Sequence, residues 1–178
     1  VLLVDGRPIF PRVVEFRGER LSSLRNLGFN AVWLRQPPPR EMLEEAKRLG
    51  LWLVCPPPRP PASDPAAPQE PEPIGSEFSG VLAWDLGSGL LREQLEANRQ
   101  WAQYVRKADV RQHRPLICSA AQDLRGYSRQ VDMLLIDRQP LGTSTEMADY
   151  GVWVRRQPLL ALPGTPIWTV IQTQPGEG

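Results

Sequence analysis

The chain has 178 residues, with 21 basic and 20 acidic side chains and a formal net charge of +1. So even a balance gives no field to gather nucleic acid or an anionic membrane, and neither partner is expected. No apolar run approaches the roughly 18 residues of a membrane-spanning helix. The length is that of one domain, 1–178.

Of the basic residues only Lys47 and Lys107 are lysine, a skew that reflects coding composition better than function. Cys55 and Cys118 close apolar runs and read as small buried hydrophobes. A disulfide between them would need Cα atoms within about 7 Å. With His113 as the one histidine and no CxxC pair, neither a metal site nor a cofactor is expected. The chain begins at Val1 without Met, which suits a processed or exported protein or a segment of a larger one.

Residues 1–11 predict a hairpin turning at Asp5-Gly6, a dipeptide favoured in tight hairpin turns. A first strand is expected over 12–16. Leu21, Leu24 and Leu27 then share a helical face that Gly28 would cap. The second strand is expected over 30–34. Pro39 suits the start of the next helix, whose stripe of Met42, Leu43, Ala46 and Leu49 ends at Gly50. The run over 51–55 is continuously apolar, as in sheets buried on both faces.

Residues 56–80 break the pattern, with nine prolines and four acidic residues. No helix survives that proline density. The segment predicts an extended loop in place of the third helix, lying over the rim where the third strand ends. The alternative is a disordered linker. Against it, the elements on either side are single βα units that could not fold alone.

Alternation resumes with a fourth strand at 81–84. A long helix follows, with Leu91, Leu95, Ala102 and Val105 inward and Trp101 beside them. A fifth strand is expected over 114–118, with His113 at its start as an ordinary surface histidine. A short helical stretch comes around Leu124 and Tyr127, then a sixth strand over 132–136. Thr143 and Glu146 have capping-box spacing, and Met147, Tyr150, Gly151 and Val154 give a helical face stopping at Pro158. The seventh strand is expected over 166–171. Seven strands alternating with helices imply an α/β fold with a parallel sheet. No Gly-rich phosphate loop follows the first strand, so a compact TIM-like (β/α) barrel with about seven strands is preferred to an open doubly wound sheet. A full eightfold barrel usually needs about 250 residues, so this one would be small or truncated.

Four segments, in order, resemble parts of the catalytic barrel of beta-galactosidase-like glycoside hydrolases. They are Val4-Asp5-Gly6-Arg7-Pro8-Ile9-Phe10, Leu27-Gly28-Phe29-Asn30-Ala31-Val32, Gly50-Leu51-Trp52-Leu53-Val54 and Trp84-Asp85-Leu86-Gly87-Ser88-Gly89. The Trp168-Thr169-Val170 strand is similar to their seventh. In those enzymes a W-x-x-G-N-E segment ends the fourth strand with the general acid/base Glu. Here Ser88 and Gly89 stand where Asn and Glu would be. Near the end of the seventh strand, where the resemblance implies a nucleophile, the chain has Gln172 and Gln174. An amide neither attacks as a carboxylate nor titrates, whereas glycoside hydrolysis needs two carboxyl groups.

Barrel active sites lie at the C-terminal ends of the strands. The residues there are Glu15 and Arg17, Arg35, Asp85, Ser119 and Gln122, and Asp137 and Arg138. Glu15, Asp85 and Asp137 are the candidate catalytic carboxylates, since two neighbouring carboxylates split into an acid and a base. Arg17, Arg35, Trp84, Gln122, Arg138 and Gln172 are the candidate substrate-binding residues. The rival reading makes the carboxylates and arginines a structural ion network. Trp84, nearest a strand end, could stack on a sugar, although strand tryptophans more often fill a core. Cys118-Ser119 lacks a histidine base and is not expected to act as a nucleophile.

The expectation is a glycoside hydrolase-like barrel without hydrolase activity, serving carbohydrate binding or structure. The alternatives are an active glycosidase using Asp85 or Asp137 with Glu15, and a scaffold without ligand. Seven strands must close directly, recruit another segment or pair with a second copy. Closure in a monomer is expected first and a homodimer next.

Overall fold

A computed structural model of the chain describes residues 2–4, 6–59 and 71–173. It is a mixed α/β protein. A two-stranded antiparallel hairpin, β1 (Leu2–Val4) and β2 (Arg7–Ile9), opens it. Gly6 sits in the turn at φ +73°, where an L side chain would be strained; Asp5 lies outside the described residues.

Seven strands follow in chain order: β3 (Val13–Glu15), β4 (Ala31–Trp33), β5 (Trp52–Cys55), β6 (Val81–Asp85), β7 (Leu116–Ser119), β8 (Met133–Ile136) and β9 (Ile167–Thr169). They lie close to the predicted segments. The fifth starts two residues later than expected, because Arg114 turns inward to a buried carboxylate instead of entering the strand.

The expected closed barrel is corrected: among the described residues no pairing joins β9 back to β3. Burial agrees with two open edges. Strands β4, β6, β7 and β8 are buried along their whole length, whereas every residue of β3 and β9 is only half-buried. Seven short strands in simple chain order make a sheet that keeps its ends, where an eight-stranded barrel would have none.

The chain gathers into two compact units. One is formed by Val1–Trp84 with Ala108–Arg114, the other by Asp85–Lys107 with Pro115–Gly178. In the first unit β3, β4 and β5 pair in parallel, Val14 opposite Val32 and Val32 opposite Leu53. Strand β6 joins β5 with a register shift at Leu53/Val54.

Two helices belong to this unit. Helix α1 (Leu21–Asn26) buries Leu21 and Leu24 but ends before Leu27, which is 75% exposed instead of completing the stripe. Helix α2 (Arg40–Leu49) follows the sequence rules closely. Leu43 and Ala46 face inward, Pro39 is its N-cap, and Gly50 ends it in the left-handed region at φ +63°. In the Pro-rich segment, residues 60–70 lie outside the described residues. The described remainder of 56–80 holds no α-helix, only a 3₁₀ turn at Ser76–Gly80.

In the second unit β7, β8 and β9 pair in parallel, Cys118 opposite Leu134 and Leu134 opposite Ile167. Helix α3 (Leu95–Ala108) buries Ala102 and Val105 as expected; Leu91 precedes it and is 44% exposed. Helix α4 (Leu124–Tyr127) is the short stretch predicted there, with both end residues buried.

Helix α5 (Met147–Leu160) departs most from expectation. The capping box does not form. The Thr143 hydroxyl donates to the Pro140 carbonyl and accepts from the Thr145 N–H, leaving Glu146 as N-cap without a side-chain cap bond. The helix also carries Pro158 within it rather than stopping there. That is tolerable in a last turn whose ladder is nearly complete.

Candidate functional site

The strand ends are where sequence and resemblance place the chemistry. In the first unit Glu15 ends β3 and is bound by two arginines. Arg35 Nε donates to Glu15 Oε1 at 2.7 Å, and Arg17 approaches Oε2 at 3.6 Å. The Arg35 guanidinium also lies over the Trp33 ring, 3.9 Å from its centroid. A carboxylate held this way is an acceptor already in use. Of the predicted residues, the structure brings Glu15, Arg17 and Arg35 together, and does so as an ion cluster.

Trp84, the candidate sugar platform, is corrected. It is completely buried, and its indole N–H donates to Asp109 Oδ2 at 3.0 Å. Phe78 meets its ring edge-on at 5.6 Å and the Arg114 guanidinium lies 5.3 Å from it. No face of this ring can stack on a pyranose. Arg114 organises the surroundings. It is ion-paired to Asp109, and it also donates to the carbonyls of Val81 at 3.1 Å and Phe78 at 2.9 Å. Burial pulls the Arg114 guanidinium below its ordinary pKa, and the Asp109 charge opposes that shift. Sequence reasoning passed over both residues. Asp109 and Arg114 sit in a polar stretch between helix and strand, and nothing in their spacing tells a buried ion pair from a solvated turn.

In the second unit Asp85 ends β6 with 4% exposure, and its Oδ1 accepts from the Gly87 N–H at 3.0 Å. The loop beyond it is stitched to β7. Leu86 N–H donates to the Ile117 carbonyl, Ser119 N–H to Gly87 and Leu90 N–H to Ser119. Gly87 is at φ +136°, and a Cβ there would come within 3.1 Å of Leu90. Ser88 and Gly89, standing where the resembled family has Asn and Glu, are exposed. Neither can supply a carboxyl group.

The Cys118 thiol beneath this loop is pushed up to about 12, chiefly by burial and then by the nearby Asp85 carboxylate. It therefore stays protonated and unreactive at neutral pH. Cys55 is also buried, and the two are not bridged. Asp137 follows β8, half-buried. Arg138 is exposed, with its guanidinium 5.6 Å from the Trp153 ring. Gln122 Oε1 receives a long 3.4 Å hydrogen bond from the Arg92 N–H. Gln172 Oε1 accepts from the Leu141 N–H at 2.8 Å, so the amide at the expected nucleophile position ties down a loop.

His113 is exposed, as expected of a surface residue. Among the described residues no group of three or more His, Cys, Asp or Glu could hold a metal ion, and no helix is long and apolar enough to cross a membrane. The second unit has an open groove of about 560 Å³ on its helical layer. It is lined by α3 and the α4 region, Arg99, Arg106 and Arg129 among them, and by no strand end. Set against known proteins, the chain matches no family model, no curated protein and no solved structure.

Proposed function

We propose that this chain is a glycoside hydrolase-like α/β module without hydrolase activity, serving a structural role. One observation carries the reading. Asp85, the carboxylate nearest the resembled acid/base position, is buried and spends an oxygen on the Gly87 N–H. A general acid must reach the leaving-group oxygen, and a side chain committed to its own turn serves that poorly. The two arginines on Glu15 and the loop-holding role of Gln172 point the same way. A structural role is preferred to carbohydrate binding because Trp84, the platform candidate, lies in the core.

A screen of chromogenic α- and β-glycosides is expected to give no turnover above buffer. Asp85→Asn keeps an oxygen for Gly87 and is expected to leave the fold and that null result unchanged. Turnover by the native chain that disappears in Asp85→Asn or Glu15→Gln would overturn the proposal in favour of an active glycosidase using Asp85 or Asp137 with Glu15. Saturable binding of oligosaccharides in calorimetry would restore the carbohydrate-binding role.

A further inference from the structure

Helix α5 carries apolar residues on both of its faces, with Tyr150, Trp153 and Val154 half-buried on the inner one. A surface helix ordinarily buries its apolar stripe and shows its polar face to water. Here Gln157 is buried beside that inner face, while Met147, Val152, Leu159 and Leu160 remain 63%, 39%, 80% and 53% exposed. At about 100° per residue, Ala148, Val152 and Leu159 fall within about 40° of one another around the helix. With Arg155 they follow the alternating four- and three-residue steps of a helix–helix seam. The Arg155 stem can lie along apolar surface while its head reaches water. Asp149 and Arg156 lie seven residues apart, so both stand on one flank of this seam, and both are exposed. Among the described residues neither forms an ion pair.

We propose that α5 is a self-association surface, on which a second copy of this chain packs with its α5 antiparallel about a two-fold axis. The occupant follows from the charges. A two-fold contact is self-complementary, so a residue i that meets j on the partner is matched by j meeting i. Antiparallel packing brings the same flank of each copy together in opposite directions. Asp149 then faces Arg156 of the second copy, twice by symmetry, while the apolar residues fill the seam. A parallel two-fold pair would instead set this flank against the opposite flank of the second copy, where Gly151 and Pro158 offer Asp149 and Arg156 no counter-charge. A partner helix of one charge sign would satisfy one of the two residues and repel the other. Fourteen residues span about 21 Å, and such a contact is smaller than the roughly 800 Å² per partner of a standard interface. The dimer is therefore weak and concentration-dependent. This surface does not depend on the non-catalytic reading, and its test uses no sugar.

The test is sedimentation velocity of the whole chain over rising concentration, with circular dichroism as a check on folding. The native chain is expected to shift reversibly from monomer to dimer. Asp149→Arg alone and Arg156→Asp alone each set like charges across both contacts and are expected to weaken the dimer about tenfold or more. Mixing the two variants rebuilds both ion pairs in a heterodimer, and association is expected to return toward native strength. A native chain that stays monomeric at every concentration would overturn the proposal. So would single variants that associate like the native chain, or a mixture of folded variants no stronger than its parts.

Discussion

The first unit buries charge and the second exposes leucine, and the two departures from the ordinary rule have opposite resolutions. Beneath β6 the Arg114–Asp109 pair is 7% and 4% exposed in its side chains. Its donors and acceptors are met inside the chain by Trp84 Nε1, the Arg114 N–H and the carbonyls of Val81 and Phe78. On α5 the apolar residues Val152 and Leu159 are 39% and 80% exposed. A buried charge costs several kcal/mol unless it is paired and hydrogen-bonded, so the first unit has to complete itself. An exposed leucine costs little, so the second can wait for a partner.

The largest expected effect tests that self-completion. Asp109→Ala leaves a buried guanidinium without its counter-charge and strips a partner from Trp84 and from the Arg114 N–H. Loss of about 3–5 kcal/mol is expected, read as a lower urea midpoint at unchanged slope. A loss under about 1 kcal/mol, the worth of an exposed pair, would show that the cluster is wetter than its geometry implies.

A second effect belongs to the other unit. The ordinary thiol pKa of 9.0 rises to about 12 at Cys118. Between those values the unfolded chain releases this proton and the folded chain keeps it, so stability falls as pH rises. Below about 9 the contribution is fully present. Above it the expected slope is up to about 1.4 kcal/mol per pH unit. A denaturation series from pH 8 to 11 should show the decline, and Cys118→Ala should flatten it relative to native. An unchanged slope in that variant would mean that other groups cause the decline.

How much of this could be read beforehand depends on range. Strands β4 to β8 and helix α2 are written locally, in apolar runs bounded by Gly and Pro and in the stripe ending at Gly50. Helix ends are decided more weakly. Leu27 and Leu91 fit their stripes but lie just outside the helices. Thr143 finds the nearer Pro140 carbonyl before it can cap α5. The site suffered most. Strand β6 is buried throughout, so no alternation of polar and apolar residues told which way Trp84 faces. The bond that settles it comes from Asp109, 25 residues on. The sheet's open edges were equally hidden, because β3 and β9 carry apolar residues much as the inner strands do, and only pairing distinguishes them.

A smaller effect probes the helix that did obey the rules. Gly50→Ala places a side chain in the left-handed region at φ +63°, though with open space around it. The cost is therefore conformational and about 1–2 kcal/mol. A thermal midpoint unchanged from native would mean that the cap relaxes to another turn.

The smallest effect on stability is the most informative for the contrast between the units. Leu159 is 80% exposed, so Leu159→Gln removes almost no buried area. Surface changes of this kind stay within about 0.5 kcal/mol. Thermal denaturation at low concentration, where the chain is monomeric, is expected to be unchanged. At high concentration the same variant is expected to lose its dimer, because an amide in the seam forfeits the apolar contact and buries polar atoms without partners. If Leu159→Gln instead destabilised the monomer by 2 kcal/mol or more, the residue would be packed within its own chain. The second unit would then resemble the first, complete in itself, and the contrast drawn between them would collapse.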